Sequence, residues 1–70
     1  MYTEALKDAE KVVDFRPDWP KGYFRKGGAL YGLGQYEDAA VCFLQCLALD
    51  QKVSSAKEYL SKVSIRLGNS

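Results

Sequence analysis

The sequence predicts an all-α chain: a helix-turn-helix solenoid fragment of about four antiparallel helices. Three observations predict it. Apolar residues recur at i, i+3, i+4 and i+7 along successive stretches, the period of a helix that buries one face. Proline, glycine and aspartate punctuate the chain between those stretches, at 17–20, 34 and 50. The chain also repeats its own pattern when shifted by about 34 positions, a spacing typical of stacked two-helix units.

The first helix is predicted over residues 2–15. Ala5, Leu6, Ala9, Val12 and Val13 share one face, with Lys7, Asp8, Lys11 and Asp14 on the other. Glu4 suits the positive end of the helix dipole. Pro17 ends the helix, because the residue before a proline avoids the helical region. Asp18 and Trp19 make the turn, where Trp19 is expected to pack. Pro20 suits the first position of a new helix, where its missing N–H costs nothing.

The second helix is predicted over residues 20–33. It carries Gly22, Gly27, Gly28 and Gly32, each costing up to about 1 kcal/mol relative to alanine. Packing must therefore hold it, and close backbone approach is the expected return on those glycines. Gly34 is the expected C-terminal stop. The third helix, 36–49, has Glu37 and Asp38 at its start. Its apolar stripe is Ala39, Ala40, Phe43, Cys46 and Leu47. Asp50, Gln51 and Lys52 form a polar turn. The fourth helix, 53–67, places Ala56, Tyr59, Leu60 and Val63 on one side, and Lys57, Lys62 and Arg66 are expected on a solvated face, the alternative being a surface that meets an acidic partner. Residues 68–70 read as a frayed end.

Composition narrows the function classes. Seventy residues make one small domain of marginal stability. Ten basic and nine acidic side chains give a net charge of +1, without the basic excess of nucleic-acid binders. No apolar run reaches the roughly 20 residues of a membrane span, and no signal-peptide pattern is present. The reading is a soluble, cytoplasmic protein with no nucleic-acid or membrane partner. There is no histidine, and the serines lie at positions 54, 55, 61, 64 and 70 with no base pattern beside them. No enzyme activity, cofactor or metal site is expected. Cys42 and Cys46, four apart on one helix, are poorly oriented for a disulfide and read as ordinary buried or half-buried thiols.

The internal repeat sets the domain reading. With a shift of 34, Tyr2 falls on Tyr36, Glu4 on Asp38, Ala5 on Ala39, Val12 on Cys46, Val13 on Leu47 and Phe15 on Leu49. The pattern W-x2-L-G-x2-Y, A-x3-F, P maps onto Tyr23, Lys26, Gly27, Leu30, Ala39, Phe43 and Gln51. Lys26 and Gln51 depart from it; in the earlier copy Ala5 and Pro17 fit and Ala9 departs. The chain thus resembles the tetratricopeptide repeat family over nearly its whole length. The resemblance implies that residues 1–19 hold the second helix of an incomplete repeat. Residues 20–53 would be one complete repeat and residues 54–67 a capping helix. It further implies a fragment of a longer array, with apolar surface left exposed on the first helix. Gly27 and Ala39 would let paired helices approach, with Tyr23 and Phe43 filling the space between.

The candidate site lies on the second helix. Lys21 and Arg25 are four apart, so they stack on one face at the positive end of the helix dipole. That arrangement favours an anionic partner. The alternative is that Lys21, Arg25 and Lys26 form an ordinary solvated face. The resemblance implies that Lys21, Phe24, Arg25, Gly28 and Tyr31 or Gly32 face the concave groove. The stretch from Pro17 to Lys26 is similar to the third repeat of the carboxylate-clamp co-chaperones. It implies that Lys21 and Arg25 hold the carboxylates of a C-terminal Glu-Glu-Val-Asp peptide of heat-shock chaperones, or of another acidic peptide. Phe24 would either pack or touch an apolar ligand side chain, and Gly28 would leave room for the ligand backbone. The family's remaining clamp residues, a lysine and two asparagines of upstream repeats, have no counterpart in these 70 residues. The alternative function is a structural or self-associating scaffold segment, using the orphaned face of residues 2–15.

Overall fold

Among the described residues four α-helices form, as the periodicity predicts: α1 (Tyr2–Phe15), α2 (Pro20–Gly32), α3 (Tyr36–Leu49) and α4 (Ser54–Gly68). The structure is a computed structural model that describes residues 1–68. No strand occurs among the described residues. Gly68 closes α4 rather than fraying from it, while Asn69 and Ser70 of that expected end lie outside the described residues.

The boundaries follow local chemistry. Arg16, kept out of the helical region before Pro17 at φ −131° and ψ 72°, ends α1. Pro20 opens α2 from an extended Trp19. At its other end the Gln35 N–H donates to the Leu30 carbonyl (2.9 Å) and the Gly34 N–H to that of Tyr31 (3.0 Å). This is a Schellman cap, and it needs the left-handed backbone that Gly34 adopts at φ +81°. Leu33 is therefore the cap of α2 and not its last turn. Between α3 and α4, the Lys52 N–H donates to Asp50 Oδ1 at 3.0 Å and tightens the turn.

Each helix packs on the next, and α2 also touches α4. The result is a slab 35 × 28 × 14 Å in extent. Its core lies around α3, where Ala39, Phe43 and Cys46 are fully buried with Ala56. Phe43 covers Gly27 so closely that a Cβ there would sit 2.8 Å from the ring. Gly22 faces Val12 and Val13, and Gly32 lies against the Tyr2 ring. Gly28 departs from the close-approach expectation, since a Cβ there would meet nothing within 4 Å.

The 34-residue shift also relates α2 to α4. Gly22 and Ala29 fall on Ala56 and Val63, and all four are buried. Aromatic rings tie the two helices together. Tyr59 stacks on Phe43 at 5.1 Å and meets Phe24 at 5.7 Å and Tyr31 at 5.4 Å. On α1 only Ala9 is buried, and Tyr2 and Phe15 stay exposed, so the expected apolar surface is present there. Among the described residues no helix is long and apolar enough to cross a membrane.

Candidate functional site

The first two turns of α2 deliver Lys21 and Arg25 to one pocket of about 490 Å³. Trp19, Pro20, Phe24 and Val53 give it an apolar lining, and Asp50 and Ser55 line it as well. The pocket thus sits where the starts of α2 and α4 meet the end of α3. Both cations are exposed, and neither makes an ion pair among the described residues.

Arg25 is not free to wander. Its guanidinium lies 5.5 Å from the centroid of the Trp19 ring, and that of Arg16 lies 5.9 Å away. An exposed cation such as Arg25 over the half-buried indole gains about 0.5–1 kcal/mol. That is enough to bias the side chain toward the pocket rim, while its N–H donors keep no carboxylate partner. Trp19 therefore does more than fill a turn: it orients a pocket cation. The signal available in the sequence was a tryptophan immediately before a helix-opening proline, six residues ahead of an arginine.

Phe24 combines the two roles left open for it. Its ring packs against Phe43 and Tyr59, both at 5.7 Å, and also lines the pocket. Gly28 stands apart from that pocket, with open space beside its Cα. Of the two groove alternatives, Tyr31 shares a shallower pocket of about 360 Å³ with Lys62 and Arg66, whereas Gly32 lies under Tyr2. Lys62 and Arg66 are more than a solvated face: Lys62 Nζ sits 5.1 Å over the Tyr59 ring, and the Arg66 guanidinium 5.8 Å over Tyr36.

Asp50 and Ser55 line the pocket too, although the sequence marks neither as a site residue. Asp50, whose Oδ1 accepts from the Lys52 N–H, contributes an acidic residue to the lining, and the exposed Ser55 a hydroxyl-bearing one. Nothing in the local pattern of the polar turn marks either one. Cys46 also reaches the pocket, but burial and Asp50 push its thiol above its ordinary pKa. Cys42 is raised too, by burial, with Lys26 opposing. Both are free buried thiols in their neutral form at pH 7. Among the described residues no group of three or more His, Cys, Asp or Glu side chains is placed to hold a metal ion.

The profile described as "Tetratricopeptide repeat" matches residues 20–53. Residues 20–53 belong to the tetratricopeptide repeat family. It is 44% identical over 62 residues to the Hsp70-Hsp90 organising protein of Plasmodium falciparum, covering 89% of this chain and 25% of that one. It is 47% identical over 60 residues to the Hsp70-Hsp90 organizing protein of Triticum aestivum, covering 86% of this chain and 10% of the relative. Human tetratricopeptide repeat protein 28 is 49% identical over 51 residues, 73% of this chain and 2% of that protein. The chain therefore spans a quarter or less of each of these relatives. No solved structure gives a significant match.

Proposed function

We propose that this chain is a protein–protein interaction module that holds the free C-terminus of an acidic peptide at Lys21 and Arg25. The observation that carries the reading is one pocket with two cations a turn apart, an apolar wall and no ion pair to either cation. Arg25 offers a planar two-pronged contact to a carboxylate, and Lys21 adds a mobile point charge. Capture of a terminal carboxylate is a known mode of peptide recognition. Phe24 gives the penultimate side chain an apolar surface, and Gly28 leaves space for the peptide backbone. Asp50 repels a carboxylate on its own side, which favours seating the anion toward α2.

Relatives named for Hsp70 and Hsp90 favour a heat-shock chaperone tail of the Glu-Glu-Val-Asp type, and with it a cytoplasmic setting. In this reading residues 20–53 are the complete repeat, residues 1–19 the second helix of the one before, and residues 54–67 the cap. The clamp is then a downstream half, and these 70 residues bind weakly alone. Each missing charge-assisted hydrogen bond removes about 1.5–3 kcal/mol.

The test is an NMR titration of the chain with a peptide ending Glu-Glu-Val-Asp, as free acid and as C-terminal amide. The free acid is expected to bind at least about tenfold tighter, and Lys21→Ala with Arg25→Ala to remove that advantage. Equal binding of acid and amide would overturn the clamp. A second reading, a self-associating scaffold segment, is favoured by the exposure of Tyr2 and Phe15 on α1. Sedimentation velocity checks it: a monomer at every concentration counts against it.

A further inference from the structure

We infer that Lys62 and Arg66 of α4 form a second anion subsite, which takes an acidic side chain three to five residues before the terminal carboxylate. The inference rests on the peptide-binding reading above and extends the same groove. With the 34-residue shift, Lys62 and Arg66 occupy on α4 the places that Gly28 and Gly32 occupy on α2. They are one turn apart and share a pocket with Tyr31, which lies on α2 seven residues beyond Phe24. Neither makes an ion pair among the described residues, although the exposed Glu58 stands one turn before Lys62. Each is instead held over a tyrosine ring, Lys62 on Tyr59 and Arg66 on Tyr36. Both cations therefore have a fixed seat and no anion.

The spacing selects the ligand. The first pocket joins the start of α2 to the start of α4, at Lys21 and Ser55. The second joins the later parts of the same helices, at Tyr31 and Lys62. The two helices thus run side by side in one direction. At 1.5 Å per residue, Lys62 lies about 10 Å along α4 from Ser55, and Arg66 about 16 Å. An extended peptide rises about 3.3 Å per residue, so three to five residues cover that span. Phe24, which lines the first pocket, is in ring contact with Tyr59, and Tyr59 in turn meets Tyr31 and carries Lys62, both of which line the second.

The experiment titrates the chain with a peptide carrying glutamates three to five residues before its C-terminus, and with its glutamine counterpart. Two exposed ion pairs at about 0.5 kcal/mol each correspond to about a fivefold difference in Kd. The wild-type chain is expected to prefer the glutamate peptide about fivefold, and Lys62→Gln with Arg66→Gln to erase that preference. Lys57→Gln, on the opposite side of α4, is expected to keep it, as is the charge-retaining pair Lys62→Arg with Arg66→Lys. No preference in the wild-type chain would overturn the subsite without any variant. An equal loss in Lys57→Gln would overturn it in favour of diffuse charge. The C-terminal amides separate the two readings. If acid and amide bind alike the clamp fails, while the glutamate preference and its loss still report the subsite.

Discussion

Gly27 and Gly28 are neighbours in one helix, yet alanine should act on them in opposite directions. Both lie in the interior of α2, and neither has a positive φ. Each Gly→Ala change should therefore gain up to about 1 kcal/mol of helix propensity. At Gly28 nothing opposes the gain, because the new Cβ has open space. At Gly27 the Cβ would meet three Phe43 ring atoms at 2.8, 2.9 and 3.0 Å. Phe43 is fully buried and in ring contact with Phe24 and Tyr59, so its ring cannot retreat without moving theirs. Overpacking of this kind costs about 1–3 kcal/mol. The net expectation is about 1 kcal/mol of destabilisation for Gly27→Ala and up to about 1 kcal/mol of stabilisation for Gly28→Ala. The two melting temperatures should then differ by about 8–16 °C in a domain this small. Thermal melts followed by circular dichroism at 222 nm would measure it, with urea titration as a second estimate of the free energies. If Gly27→Ala matches or exceeds wild type, the packing of Phe43 on α2 is not what holds this glycine-rich helix.

Four further outcomes are expected. Gly34→Ala forces a Cβ onto a left-handed residue at φ +81° and should cost about 1 kcal/mol in a urea titration. Phe43→Ala should cost about 3–5 kcal/mol, enough to abolish a cooperative melt, because the core of a 70-residue chain supplies no more than about 3–5 kcal/mol in all. Burial raises both thiols, so the folded chain keeps protons that the unfolded chain releases above about pH 8.5. Stability should be unaffected by the thiols below that pH and should fall as pH rises beyond it, unlike that of a Cys42→Ala, Cys46→Ala chain, in melts from pH 7 to 10. Arg25→Lys keeps the charge but loses the planar fork and its seat on Trp19. Peptide titrations should show a severalfold weaker Kd, while Lys21→Arg should stay near wild type.

Local chemistry made most of the fold legible in the sequence. The four helices follow from apolar periodicity, and their ends from Pro17, Pro20 and Gly34, whose backbone limits act without any tertiary partner. The boundaries differ by one residue at the end of α2 and at each end of α4. Leu33 continues the apolar pattern, but the hydrogen bonds of the cap, to Leu30 and Tyr31, close the helix before it. Spacing alone also put Lys21 and Arg25 on one face, because i and i+4 coincide on any helix.

The glycines show where that reasoning stops. Gly22, Gly27, Gly28 and Gly32 look alike in a propensity argument. Only packing separates Gly27, pressed against Phe43, from Gly28, which faces open space. The rest of the pocket was out of reach for the same reason. Asp50 and Ser55 come to Lys21 and Arg25 from 25 or more positions away, through the stacking of α3 and α4 on α2. The sequence by itself determined the helices, their order and the spacing of the two cations, since these depend on residues a turn or a cap apart. The tertiary structure decided which cations share a cavity, which rings hold them and which glycine has room beside it, since these depend on surfaces that meet only when the helices pack.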